Sequence, residues 1–174
     1  MQKMKADAEL LKRVGEGAIV SMPQGSKEAV PLLDELINKK KVLGVYLTTT
    51  QPHGKVIEQL DKDKIDHTSL FFLDLVGRES APDENIFILR DPSDLTELSV
   101  VITEVMENDG IKFLILDSVG GLETYVDTAS VKKFLHALVT YLKKLNKSLV
   151  ILYSGGESKE LMSFVLQVSD YHKD

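Results

Sequence analysis

Six short apolar runs punctuate this chain, and none shows the in-out alternation of a strand wetted on one side. They are GAIVSM from Gly17, VLGVYL from Val42, SLFFLDLV from Ser69, NIFIL from Asn85, IKFLILD from Ile111 and SLVILY from Ser148. A strand that is apolar at nearly every position must have protein against both faces, which is the situation of a parallel sheet between helical layers. The segments between the runs carry helical periodicity, so the order is strand, helix, strand, and right-handed crossovers follow. The expectation is an α/β fold with three layers, α/β/α, around a mainly parallel sheet. In such a sheet ligands bind outside the carboxyl ends of the strands. Here those ends read SMPQGSK, LTTTQP, LDLVGRES, LDSVGGLE and YSGGES.

The helices are read from their apolar stripes. Residues 1–16 are expected as an amphipathic helix with Leu10, Leu11 and Val14 on one side, and residues 17–174 as a single α/β domain. That first helix is either a docking element or a piece that packs on its own sheet. Leu32, Leu33, Leu36 and Ile37 mark a second helix, which Pro31 requires to begin near residues 28–30, because proline is free of cost only in a first turn. A short helix is expected around Val56 to Leu60. In DPSDLTELSVVITEVMEN, Asp91 is read as the cap and Pro92 as part of the first turn, with Leu95, Leu98, Ile102 and Val105 or Met106 buried. Thr128 to Asn146 and Lys159 to Val168 complete the set.

Composition removes several classes of function. The chain has 174 residues, a net charge of -6 and no cysteine. Disulfides, thiolate catalysis and cysteine-bound metals are therefore absent. An acidic chain lacks the concentration of Lys and Arg that a nucleic-acid surface needs. The basic pieces NKKK and KKLNK close predicted helices, where cations favour the negative end of the dipole. No apolar run reaches bilayer length, so no membrane association is expected and a cytoplasmic location is.

Taken together, the strand ends resemble the RecA-like P-loop ATPases, most closely the KaiC/RadA-type branch found widely in archaea. The resemblance runs from Gly17 to about Tyr171 and rests on order and spacing. GVYLTTTQPHGKVIEQL follows the family's second strand with its proline and helix, KFLILDSVGGLETY its Walker B strand with Asp117 and Ser118 in register, and VSDYH a late segment near the last strands. The family pattern implies a phosphate loop at residues 22–29, with candidate nucleotide- or anion-binding positions at Gly25, Ser26, Lys27, Asp117 and Ser118. The loop departs from it. Aligned without a gap, Met22 takes the place of the first glycine, Lys27 of the third, Glu28 of the lysine and Ala29 of the hydroxyl residue. With a one-residue gap Lys27 recovers the lysine position, but Glu28 then stands where a hydroxyl should bind metal. Phosphate cradles need glycine backbones and a cation, and an anion there repels phosphate. Where the family has one or two glutamates that act on the attacking water, this chain has Thr50 and Gln51. Threonine is no general base at neutral pH, and an amide orients water without taking its proton.

Other features have two readings. Asp74, an acid inside an apolar run, either reaches Lys27 or Ser118 or points outward. The glycines at 120–121 and in SGGES form anion-binding nests or tight turns, with Ser154 or Ser158 as a cap. His53, His67, His136 and His172 show no metal-ligand spacing and are expected on the surface, and no metal site is expected. Ser26 lacks the G-x-S-x-G elbow of a hydrolase. The expected function is a non-catalytic RecA-like domain that pairs with itself or with an active paralogue, without a cofactor. Nucleotide or small-anion binding without efficient hydrolysis, ATP with magnesium included, is the alternative, and a divergent ATPase the second.

Overall fold

The computed structural model describes residues 5–78 and 83–174. The first half contains α1 (Ala8–Gly15), β1 (Ile19–Pro23), α2 (Ala29–Leu33), β2 (Leu43–Thr48), α3 (His53–Lys62), β3 (Leu70–Asp74) and β4 (Ile86–Ile88). Helix α2 continues as a π-helical turn at Asp34–Lys39. The second half contains α4 (Leu95–Met106), β5 (Ile111–Asp117), α5 (Val119–Leu122), α6 (Thr128–Lys144), β6 (Ser148–Tyr153), α7 (Lys159–Val168) and β7 (Tyr171–His172). The strands form one sheet in the order β4-β3-β2-β5-β6-β1-β7. Every pairing in it is parallel.

Successive residues of the central strands feed two separate cores, which is why the runs are apolar throughout. Val45, Leu47, Leu114, Leu116, Leu149 and Ile151 pack against α4, α6 and α7. Tyr46, Phe113, Ile115, Val150 and Leu152 pack on the other face against α1, α2 and α3. Gly44 belongs to this second core's wall, because a Cβ there would collide with the Phe113 ring. Helix α1 packs on its own sheet: Leu10 is fully buried, Val14 nearly so, and the Ser148 hydroxyl donates to the Val14 carbonyl. Burying each such side chain is worth about 2 kcal/mol. Residues 1–4 of the expected helix lie outside the described residues, and the helix begins only at Ala8, where Asp7 caps it.

Helix α2 begins at Ala29 with Glu28 as its cap residue, so Pro31 falls in the first turn as expected. The cap of α4 differs from expectation. Asp91 accepts the Ser93 N–H at 2.9 Å and its hydroxyl at 2.6 Å in a turn of its own. The helix starts later, with Asp94 accepting the Glu97 N–H at 2.8 Å. Pro92 belongs to the turn and not to the helix. Helix α6 ends at Lys144, two residues early, because Asn146 takes the left-handed conformation at φ 55. Among the described residues no helix is long and apolar enough to cross a membrane.

Candidate functional site

The loop after β1 folds as a tight turn. The Ser26 N–H donates to the Pro23 carbonyl at 3.0 Å, and Gly25 sits at φ 74, which a type II turn requires at its third residue. The Gln24 N–H donates to the Tyr153 carbonyl, the Ala29 N–H to the Ser26 carbonyl and the Glu28 N–H to the Ser26 hydroxyl. Met22, at the first-glycine position, is a fully buried β1 residue. Glu28 turns to the two ends of the described chain: its carboxylate accepts the Asp7 N–H at 3.2 Å and lies 3.8 Å from the Lys173 ammonium. Lys27 is exposed and forms no ion pair among the described residues.

Asp117 closes β5 beside this turn. Its carboxylate is buried and receives two donors from the chain itself. The Gln24 amide reaches Oδ1 at 2.7 Å, and the Tyr46 hydroxyl donates to Oδ2. Burial raises the Asp117 carboxyl above its ordinary value, against the lowering effect of those two bonds. Burial, and then the neighbouring carboxylate, push the Tyr46 hydroxyl well above its ordinary value. A cavity of about 370 Å³ opens over this pair between α2 and α3. Gly25 and Ser26 line its mouth, Gln51 its rim, and Leu33, Val56 and Leu60 its walls.

Ser118 follows across a cis peptide bond. Its backbone is held by Thr49, whose hydroxyl donates to the Ser118 carbonyl at 2.7 Å and accepts its N–H at 3.0 Å. The Ser118 hydroxyl itself is buried without a hydrogen-bond partner among the described residues. Thr50, at a family glutamate position, is exposed. Of the sequence candidates, the structure therefore gathers Gly25, Ser26, Gln51 and Asp117 around one cavity, with Ser118 next in chain. Gln24 and Tyr46, which hold the Asp117 carboxylate, carry no motif signal of their own in the sequence. A hydroxyl within a buried strand needs a partner, and that was the available pointer to Tyr46.

Two other readings are corrected by the geometry. Asp74 contacts neither Lys27 nor Ser118, and it does not point outward. It is fully buried and accepts four N–H groups: His53 N at 2.8 Å, His53 Nδ1 at 2.7 Å, Val76 N at 2.7 Å and Gly77 N at 2.8 Å. His53 is accordingly a half-buried partner of Asp74 and not a free surface side chain. In SGGES the nest is filled from within, since the Glu157 carboxylate accepts the Ser154 and Gly155 N–H groups. Ser158 caps α7, and Gly120 and Gly121 lie inside α5. Among the described residues no cluster of His, Cys, Asp and Glu could hold a metal ion.

Comparison with known proteins agrees with this architecture. No curated protein matches the chain in sequence. A KaiC-like protein from the hyperthermophilic archaeon Pyrococcus horikoshii OT3 superposes with a TM-score of 0.55 at 13% identity, over 86% of this chain and 68% of that one. An uncharacterized protein from Pyrococcus horikoshii, solved in complex with an unknown peptide, gives 0.63 at 16% identity, over 94% and 80%. These likenesses show the fold, which is RecA-like. The family model "ATPase: KaiC" matches residues 35–172, most of the length, and on that match the chain belongs to the KaiC ATPase family.

Proposed function

We propose that this domain is a non-catalytic member of its family, which acts by pairing with a protein partner or a second copy of itself instead of hydrolysing ATP. The bond between Gln24 and Asp117 carries the reading. Asp117 stands where the family pattern puts the residue that holds magnesium, and both of its oxygens already accept hydrogen bonds from the chain. A magnesium ion needs oxygen ligands and several waters in an octahedral shell, and this carboxylate lies against a largely apolar cavity. The neighbouring turn commits its Gln24 N–H to the Tyr153 carbonyl and its Ser26, Glu28 and Ala29 N–H groups to its own backbone and side chains. No run of free N–H groups curls toward a phosphate. The residues present thus do not fit a magnesium triphosphate. A protein of the same fold was solved with a peptide, which makes a polypeptide a reasonable occupant to test.

Calorimetry with magnesium and ATP tests the first half. The expected result is no heat of binding up to millimolar nucleotide, a Kd of about 1 mM corresponding to only about 4 kcal/mol. Light scattering on the purified chain tests the second half. A monomer at all concentrations that also captures no partner would sink it. A second reading, nucleotide or anion binding without efficient hydrolysis, is favoured by Lys27 and the Ser118 hydroxyl, which lack partners among the described residues. Saturable ATP binding weakened by Lys27→Ala would establish it. Phosphate release above a Lys27→Ala control would establish a divergent ATPase.

A further inference from the structure

We propose that a second site, at the carboxyl ends of β3 and β4, binds a small dianionic oxyanion of the phosphomonoester class through Arg78 and Arg90. A cavity of about 490 Å³ lies there, and both arginines line it. The chain has 27 Asp and Glu residues and only one other arginine, Arg13. Arg13 is paired with Glu9 at 2.7 Å, whereas neither Arg78 nor Arg90 forms an ion pair among the described residues. Two arginines that line one concavity of an acidic protein, without carboxylate partners among the described residues, offer the planar donor forks that match phosphate oxygens.

The origins of both side chains are fixed by a single residue. The Asp74 carboxylate holds the Val76 and Gly77 N–H groups, so the turn that delivers Arg78 is tied to the end of β3. The Asp74 carbonyl accepts the Leu89 N–H at 2.9 Å, which ties down the residue before Arg90. Gly77 permits this closeness, since a Cβ there would stand 2.6 Å from Asp74 Oδ2. Two acids beside it are already engaged: Asp74 is buried with four donors, and Asp91 turns its carboxylate to Ser93. Ile88, Pro92 and Tyr125 supply an apolar and aromatic wall suited to the organic body of a ligand. Three strands, β2, β5 and β6, separate this place from the Gly25–Lys27 turn. The inference is independent of whether that turn ever holds a nucleotide.

Thermal unfolding of the full chain is compared in sodium phosphate and in sodium chloride at equal ionic strength, for the native sequence, Arg78→Gln, Arg90→Gln and Lys27→Ala. The proposal expects a phosphate-specific rise in melting temperature for the native chain and for Lys27→Ala. Each arginine variant should melt normally in chloride and require roughly tenfold more phosphate for the same rise, as loss of one charge-assisted contact implies. No phosphate-specific rise in the native chain would overturn the proposal. So would a rise that survives in both arginine variants, or one abolished by Lys27→Ala, which would place the anion at the other end of the sheet.

Discussion

At Asp74 four N–H donors converge on one carboxylate that water does not reach. Removing the acceptor leaves those donors stranded together, so Asp74→Ala should cost about 3 kcal/mol in urea unfolding, within the range for breaking a buried polar pair. An acid in an apolar run was visible in the sequence as an anomaly. Its partner was not, because His53 comes from a different strand end and only the sheet order brings the two together. Asp117 makes a different point. Its folded pKa is raised by burial, so between the unfolded and folded values the native state binds more protons than the unfolded one, and this group's contribution falls as pH rises. The stability of the native chain relative to Asp117→Asn should therefore be greater at about pH 4 than at about pH 7. Equal differences at both ends, by denaturant titration, would show that burial does not penalise the charge. The loop substitutions were legible residue by residue, while the Gln24 contact that seals the carboxylate depends on a turn geometry that spacing alone does not give.

Element boundaries followed the sequence where the apolar stripe was clear, as at Lys159–Val168 for α7, and where Pro31 fixed the start of α2. They failed where two acids competed for one role. Asp91 and Asp94 both precede an apolar stripe, and proline after Asp91 resembles a first helical position. The deciding spacing is Asp94 to Glu97, the capping-box interval, which places the cap three residues before the N–H it accepts. Asp94→Ala should accordingly cost about 1 kcal/mol, and Asp91→Ala distinctly less, in paired thermal melts. The reverse order would return the helix start to Asp91. The π-helical turn at Asp34–Lys39 had no sequence counterpart, since its apolar positions Leu36 and Ile37 satisfy an ordinary helical period equally well.

For the whole molecule the parallel sheet was readable because burial on both faces leaves a compositional mark on every central strand. The strand order was less readable, since β1 sits between β6 and β7 at the far side from β2. The charge distribution gives a further expectation. Side-chain hydrogen bonds hold Asp7 (from Lys173), Asp66 (from Thr68) and Asp127 (from Ser130) below the ordinary value. Burial opposes the shift at Asp170, but the Ile19 N–H and Lys143 still lower it. Folded pKa values below the unfolded ones stabilise above the unfolded pKa and are lost as pH falls through the folded values. Overall stability should hold down to about pH 4 and then decline, with Asp117 working in the opposite sense. Urea midpoints across that interval check it, and a midpoint that kept rising below it would contradict the assignment.

Lys173 reaches Asp7 at 2.8 Å, and Tyr171 touches the same carboxylate. The polypeptide therefore enters and leaves this fold through one doorway. A host chain could carry the domain as a graft in a surface loop without stretching either seam, and a short bridge joining the two strands of that doorway would allow the gene to be opened elsewhere and still encode the same architecture.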